Sequence, residues 1–403
     1  MTEGKHVFII GSKGIPAQYG GFETFVEELV RRRQSEKICY HVACATDKWK
    51  RGEVHTFSCH GVECFEIPRW PIGAGKAVLY DVDALRYCVR YIREKKIQNA
   101  VVYVLACRIG LFIGYFKRQI QALGGKLLVN PDGHEWERAK WNSLIKEYWK
   151  FSEARMVRRA DLVICDSKNI EAYIEEHYRR YRPKTVFIPY GADIRREEKD
   201  GDGVMDRAEK WFQKWKLKPG EYYLIVGRFV PENNYETILR EFMASKTKKK
   251  LAVITNMRDD AFCTNLKNQT HFEEDKRICF TGTVYDPELL AVIRRQAFAY
   301  LHGHEVGGTN PSLLEAMGMT KLNLLYDVCF NREVGQDAVF YWTKEKGSLR
   351  RLIASAEKLS EQEIQEKGEQ AKKTIEERYQ WSDVVKEYEE IFLNSEAWKT
   401  CGK

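Results

Sequence analysis

The sequence has no apolar run long enough to cross a membrane as a helix. Its longest runs, such as AVVYVLAC at residues 100–107, stop well short of the ~20 residues a span needs. The first residues, MTEGKHVFIIGSKG, carry an acidic side chain and too short an apolar run for a secretory signal. A soluble, cytoplasmic chain is therefore expected. Eleven cysteines are present, yet none forms Cys-x-x-Cys and none lies near histidines at zinc-finger spacing. Several of them, among them Cys44, Cys165 and Cys279, sit in strand-like apolar runs, which predicts buried free thiols in a reducing compartment. His134 and Glu135 lack the second histidine of His-Glu-x-x-His, so no zinc site is expected there. The glycines near the N-terminus are not spaced Gly-x-Gly-x-x-Gly. No acidic residue follows where a nicotinamide ribose would need one, although Asp47 comes near. Low-complexity segments and internal repeats are missing too.

What is there points to two domains. A chain of 403 residues with 44% hydrophobic content can build two cores of roughly 200 residues each. The charge is uneven. Residues 1–190 hold 32 Lys and Arg against 22 Asp and Glu, and the remainder holds 34 against 36. A basic first half facing a near-neutral second half suits an anionic partner: nucleic acid, phospholipid headgroups or a pyrophosphate-bearing substrate. It is equally compatible with an ordinary solvated surface.

The opening run HVFIIG reads as a strand, GSKGIPAQYGG as a glycine-rich turn, and FETFVEELVRRR as a helix with Phe22, Phe25, Val26, Leu29 and Val30 on one face. Further strand-like runs follow, including YHVACAT, VECFEIP, KLLVNPDG, DLVICDS and TVFIPYG, with helical patterns between them such as Asp81–Lys95 and Ile170–Tyr178. This alternation predicts a parallel, doubly wound sheet. The rhythm breaks in ADIRREEKDGDGVMDRAEK, residues 192–210, where a domain junction is placed. A second series then begins with YYLIVGRF, KLAVITN, ICFTGTV, AYLHG and LNLLYD, and the chain closes on helical patterns at Gly347–Glu377 and Asp383–Ser395. Two Rossmann-like domains facing a central cleft are expected, with ligands beyond the carboxyl ends of the strands.

Four turns carry candidate chemistry. In the first, Gly11 to Gly21, glycines allow close backbone approach and the next helix offers N–H groups to an anion. In the second, VNPDGHEWERAKW, Asp132, His134, Glu135, Glu137, Arg138 and Lys140 cluster beside Trp136 and Trp141. Aromatic faces beside hydrogen-bonding groups suit a sugar, although tryptophans can simply anchor a polar loop. In the third, VGRFVPENNYETIL, Arg228 ends a strand where a guanidinium can clamp a diphosphate. In the fourth, LHGHEVGGTNPSLLEAM, the amides of Gly307, Gly308 and Thr309 can form a phosphate nest. Asn310 is placed to cap the next helix, Pro311 fits its first turn, and Glu315 lies one turn in, where its carboxylate can take a ribose. Two Asp-x-Asp triplets, Asp81–Asp83 and Asp200–Asp202, are not read as metal sites; Asp81 is expected to open a helix. The segment Ile67–Tyr80, with Arg69, Trp70, Pro71, Ile72 and Lys76, is the candidate for a loop near an acceptor or a membrane.

These motifs, in this order, resemble the family 4 glycosyltransferases of the GT-B fold, over essentially the whole chain. Within them the chain is most similar to bacterial L-rhamnosyltransferases of capsule and cell-wall assembly. The resemblance rests on GIPAQYGGFETFVEEL, NPDGHEWERAKW, CDSKNIEAYI, IPYGAD, GRFVPENNYETIL and HGHEVGGTNPSLLEAM. It implies an N-terminal acceptor domain over 1–191, a nucleotide-sugar domain over 192–380, and a helix in 381–403 returning toward the first domain. It also implies a retaining, metal-independent transfer with no cofactor beyond a nucleotide sugar. The expected donor is dTDP-L-rhamnose and the expected acceptor a polyprenyl-pyrophosphate-linked glucose or N-acetylglucosamine. The protein would work peripherally on the cytoplasmic face of the membrane, with no nucleic-acid partner. Alternatives are a UDP- or GDP-linked donor, or another enzyme on this fold such as a nucleotide-sugar epimerase. Carried over, Gly20, Gly21, Arg228, Asn233, Gly307, Gly308, Thr309, Asn310 and Glu315 would contact the donor. Glu23, Asp132, Arg138 and Lys140 would contact the acceptor, with Asp132, His134, Glu135 and Arg228 nearest the reaction. Two positions depart from the general family pattern: Gly307 stands where many members have a second glutamate, and Asn233 where they have a second basic residue.

Overall fold

In the computed structural model the described residues are 4–17, 20–47, 54–71, 73–138, 141–194, 203–394 and 398. They divide into two compact units: residues 1–191 with 381–403, and residues 192–380. Each unit is built on its own sheet.

The first unit carries β1 (Lys5–Ile10), β2 (Ile38–Thr46), β3 (Thr56–Cys59), β4 (Val62–Pro68), β5 (Val101–Leu105), β6 (Lys126–Asn130), β7 (Leu162–Cys165) and β8 (Thr185–Phe187). Their spatial order is β3-β4-β2-β1-β5-β6-β7-β8. All neighbours run parallel except β3, which folds back antiparallel on β4. Central strands of such a sheet are covered on both faces, so they read as unbroken apolar runs rather than alternating ones. Every residue of β5, VVYVL, is buried accordingly. The helices are α1 (Gly21–Arg31), α2 (Lys76–Glu94), α3 (Ile113–Ala122), α4 (Ser143–Arg159) and α5 (Lys168–His177). The unit is completed far along the chain by the helix Trp381–Leu393. That helix buries Trp381, Tyr388 and Phe392. Tyr388 lies against Phe25 and Tyr103, and Phe392 against Tyr40. Its Glu389 accepts hydrogen bonds from the amides of Gln34 and Ser35 at 2.9 and 2.8 Å, just past the end of α1.

The second unit carries β9 (Tyr222–Val226), β10 (Lys250–Ile254), β11 (Ile278–Phe280), β12 (Ala299–His302), β13 (Asn323–Tyr326) and β14 (Phe340–Trp342), in the order β11-β10-β9-β12-β13-β14, all parallel. Its helices are α6 (Val204–Trp215), α7 (Tyr235–Met243), α8 (Ala261–Thr270), α9 (Pro287–Arg295), α10 (Pro311–Met319), α11 (Cys329–Gly335), α12 (Ser348–Ala356) and α13 (Glu361–Arg378); the returning helix is α14.

Three details depart from the sequence reading. The helix expected to start at Asp81 starts at Lys76, so Asp81 lies inside α2 and is fully buried. The single pattern Gly347–Glu377 is two helices, divided where Ser360 and Glu363 form a reciprocal capping box. The segment 67–80 is the end of β4, a short turn of 3-10 helix and the start of α2. Its Arg69 and Lys76 both pair with Asp47, and the Trp70 indole N–H donates to Asp83 at 2.9 Å. Ile72, Lys140 and the Asp200–Asp202 triplet lie outside the described residues. Cys44 and Cys165 are buried and Cys279 half-buried, while Cys329 is exposed; all are free thiols. Among the described residues no helix is long and apolar enough to cross a membrane. Nor, among the described residues, is any group of three or more His, Cys, Asp or Glu arranged to hold a metal ion.

Candidate functional site

The candidate residues gather at the carboxyl ends of the strands in each unit. In the first, β1 runs into Gly11 and Gly14, both at positive φ. A Cβ at Gly11 would overlap the Leu105 carbonyl of the neighbouring strand β5. The turn lies that close to the sheet only because glycine has no side chain. Gly20, also at positive φ, precedes α1. Glu23 on that helix reaches back to accept from the Lys13 amide at 2.8 Å, which fixes the turn from its far side. Gly21 is exposed beside it.

Two strands over, β6 delivers Asp132, with φ of 62° and its amide bonded to the Asn130 side chain at 2.8 Å. Burial pushes the Asp132 carboxyl up, against the pull of Arg138. Glu135 and Arg138 form an ion pair, and Glu135 also accepts from the Trp141 indole at 3.0 Å. His134 packs edge-on against Tyr173 with 4.4 Å between ring centroids. Its Nε2 is buried with no hydrogen-bond partner among the described residues. Burial lowers its pKa, so the ring is neutral near pH 7, with one nitrogen able to accept a proton. The tryptophans are engaged within the unit: Trp141 lies 6.1 Å from Trp149, and Lys150 sits 4.8 Å over Trp136.

A residue that the sequence reading passed over ties these two turns together. Arg108, just past β5, donates to the Gly11 carbonyl at 2.8 Å and to Asp81 at 3.1 Å. Asp132 and Glu135 add to the negative field that holds its charge. Asp81 is wholly buried, and its pKa is pushed up to about 6 by burial against the opposing pull of Arg108. The signal was present, because Arg108 follows an apolar run just as Arg228 does.

In the second unit β9 ends at Gly227 and an exposed Arg228. Among the described residues no carboxylate pairs with its guanidinium, and its carbonyl accepts from the Asn233 side chain at 2.7 Å. Asn233, expected at the donor, has both ends of its amide engaged: His304 Nδ1 donates to its oxygen at 2.9 Å. Asn234 donates to the Gly303 carbonyl at 2.8 Å and to Glu305 at 2.9 Å. These bonds staple the loop bearing Arg228 to the turn after β12, so the structure brings Arg228 and residues 307–310 into one neighbourhood.

In that turn Gly307 has φ of 136°, and Gly307, Gly308 and Thr309 are buried. Among the described residues nothing accepts a hydrogen bond from the Gly307 or Gly308 amide. Asn310 caps α10, accepting from Ser312 and Leu313 amides at 2.9 and 3.3 Å, with Pro311 in the first turn. Glu315, expected to take a ribose, is paired within the unit: Arg294, itself buried, holds its carboxylate at 2.6 Å. Arg294 also donates to the Ser312 hydroxyl at 3.3 Å, and that hydroxyl donates to the Val226 carbonyl at 3.0 Å. His302 lies behind this network, fully buried, and burial pushes its pKa down to about 3, so it is neutral at any working pH. The Gly307 and Gly308 amides, open among the described residues just before a helix start, together with the Arg228 guanidinium held on the adjoining loop, can accept an anion such as phosphate.

This architecture recurs in solved glycosyltransferases of the GT-B fold. The chain is similar to sucrose-phosphate synthase from Thermosynechococcus elongatus, with a TM-score of 0.74 at 16% identity over 98% of this chain and 99% of that one. It is also similar to an α,α-trehalose-phosphate synthase (UDP-forming) from Burkholderia xenovorans, solved with glucose-6-phosphate, with a TM-score of 0.75 at 10% identity over 97% and 100%. A third is HepE of Anabaena, solved with UDP and glucose, with a TM-score of 0.69 at 14% identity over 97% and 99%. Residues 207–381 match the family of glycosyl transferases group 1, and residues 4–193 match a domain of unknown function, DUF1972. An uncharacterized glycosyltransferase from Methanocaldococcus jannaschii is 24% identical over 395 residues, covering 93% of this chain and 94% of its own. The second unit thus resembles the group 1 glycosyl transferases, and the whole chain resembles an uncharacterized glycosyltransferase.

Proposed function

We propose that the protein moves L-rhamnose from dTDP-L-rhamnose to a glucose or N-acetylglucosamine carried on a polyprenyl pyrophosphate, with retention and without a metal. One observation carries the donor half of this reading. Among the described residues the Gly307 and Gly308 amides, just before α10, are unengaged, and the Arg228 guanidinium on the adjoining loop meets no carboxylate. A nucleoside diphosphate leaving group gains negative charge as the sugar departs. Amides, a helix terminus and an arginine held in place beforehand stabilise that charge without a metal. Glu315, whose carboxylate is held by Arg294, would accept from hydroxyls of the nucleotide sugar. In the first unit, Asp132, His134, Glu135 and Arg138 would meet the acceptor, with Gly20, Gly21 and Glu23 at the glycine-rich turn. The neutral His134 is the group there best suited to take a proton.

The basic surplus of residues 1–190 suits a pyrophosphate-linked acceptor at the cytoplasmic face of the membrane. The test is a donor screen read by mass spectrometry, with short-chain lipid-pyrophosphate glucose and N-acetylglucosamine as acceptors. Product from dTDP-rhamnose is expected. Product from UDP- or GDP-linked sugars with none from dTDP-rhamnose would overturn the choice of donor.

A further inference from the structure

Five large apolar side chains stand in the open at one place on the first unit. Leu111, Phe112 and Tyr115 are 59%, 38% and 57% exposed, and Leu144 and Phe151 are 80% and 38% exposed. The first three lead into or lie on α3, the last two on α4. The two helices are held side by side. The Gly110 amide donates to the Ser152 hydroxyl at 2.8 Å, and the Tyr148 hydroxyl to the Arg108 carbonyl at 2.6 Å. A Cβ at Gly114 would lie 3.8 Å from the Arg159 guanidinium. Residues 148, 152 and 159 thus mark the face of α4 that meets α3. At 3.6 residues per turn, Leu144, Phe151 and Arg155 lie within about a quarter turn of that seam, all on one side. Gly110 meets Ser152 and Gly114 meets Arg159, so the two helices run the same way; Tyr115 lies about a quarter turn from Gly114 in the opposite sense of rotation, which puts it on the same side as Leu144 and Phe151 and joins the apolar side chains of both helices in one patch.

The exposed charges around it are predominantly basic. On α3 Arg118 is exposed, Lys117 is buried and paired with Asp161, and no residue is acidic. α4 carries five basic residues and two acidic ones. Of those two, Glu153 is buried and bonded to Tyr173 and Tyr178, while Glu147 is paired with Lys150 at 3.5 Å. Arg155 stands 4.8 Å over the Phe151 ring, a cation laid along an apolar surface with its head outward. A second copy of this face would bring arginine against arginine, which disfavours self-pairing. An anionic surface with an apolar interior complements both features.

We infer that the α3–α4 face docks on an anionic lipid bilayer. Leu111, Phe112, Tyr115, Leu144 and Phe151 enter the headgroup boundary, and Arg118 and Arg155 meet lipid phosphates. This places the membrane contact away from residues 67–80, whose basic side chains are taken up by Asp47. The inference deepens the lipid-linked acceptor reading and rests on it for its purpose, but not for its test.

The test is sedimentation of the full chain with phosphatidylcholine vesicles, with and without phosphatidylglycerol, at low and high salt. Binding to the mixed vesicles, weakened by salt and lost without the anionic lipid, is expected. Tyr115→Glu and Leu144→Glu should each weaken it about tenfold, the equivalent of losing one buried apolar side chain. Arg118→Glu and Arg155→Glu should each weaken it about fivefold or more, and Trp70→Ala should leave it unchanged. All five positions are at least partly open to solvent, and circular dichroism melting checks that each variant folds. Wild-type protein that stays in the supernatant overturns the inference. So do patch variants that bind like wild type, salt-independent binding to neutral vesicles, and loss of binding in Trp70→Ala. Vesicle binding without sugar transfer leaves the surface standing and overturns the acceptor reading; transfer without vesicle binding does the reverse.

Discussion

Removing either partner of the Arg294–Glu315 pair should have unequal effects, because the two groups differ in access to water. The Arg294 side chain is 4% exposed and the Glu315 side chain 36%. Taking one partner from a buried pair typically costs about 3–5 kcal/mol, because the other charge is stranded. Glu315→Leu strands Arg294, which among the described residues keeps the Ser312 hydroxyl at 3.3 Å, so it should approach that full cost. Arg294→Met strands a carboxylate that water can reach, and the cost should fall to about 1–2 kcal/mol. The gap of about 2 kcal/mol corresponds to roughly 4–8 °C in the melting of a unit of this size. Stability and donor binding should separate as well. Arg294→Met frees the carboxylate to rotate, and nucleotide affinity, measured by titration calorimetry, should drop about tenfold. The double variant should be less destabilised than the sum of the singles, by about 1–3 kcal/mol. If Arg294→Met destabilises as much as Glu315→Leu, or leaves nucleotide affinity untouched, the account of how α9 positions α10 is wrong.

Three further outcomes follow from the same geometry. Asp81 has a folded pKa of about 6, above that of an unfolded aspartate, so its stabilising contribution is present below pH ~4 and lost as pH rises through 6. Asp81→Asn should therefore gain on wild type by about 2–3 kcal/mol between pH 4 and 7 in urea titrations, and a flat difference would refute this. Arg228→Ala, at an exposed position, should leave the melting temperature within a degree or two yet lower kcat about 10²–10³-fold; a change confined to the acceptor KM would reject the leaving-group role. Gly11→Ala must place a Cβ on the Leu105 carbonyl at a φ of 96°, and a loss of about 3 kcal/mol or more is expected in chemical denaturation.

The strands were legible where they are covered on both faces. β5 and β7 are buried at every position, and β1 and β9 at all but their ends, so they read as short apolar runs. The glycine turns were legible for a related reason, since Gly11, Gly20 and Gly307 occupy backbone angles that other residues avoid. The short, partly exposed β3 and β14 were not, because they carry no unbroken buried apolar run. Asp81 was misread as a helix opener because aspartate favours that place, while its true partner, Arg108, lies 27 residues away and leaves no local trace. Arg294 and Arg295 are indistinguishable as letters; the helix phase turns the first inward to Glu315. Asn233 carried half of its message in the sequence. Its departure from the family's basic residue was visible, but the staple to His304 was not.

The return of α14 to the first unit bears on how the chain is made. Residues 4–191 leave the ribosome early, yet the rings of Phe25, Tyr40 and Tyr103 stay uncovered until Tyr388 and Phe392 have been translated. The lobe that starts first thus finishes last. The second lobe, contained within residues 192–380, can close while its predecessor still waits, so nascent chains shortened before Trp381 should be the ones that chaperones hold and proteases find.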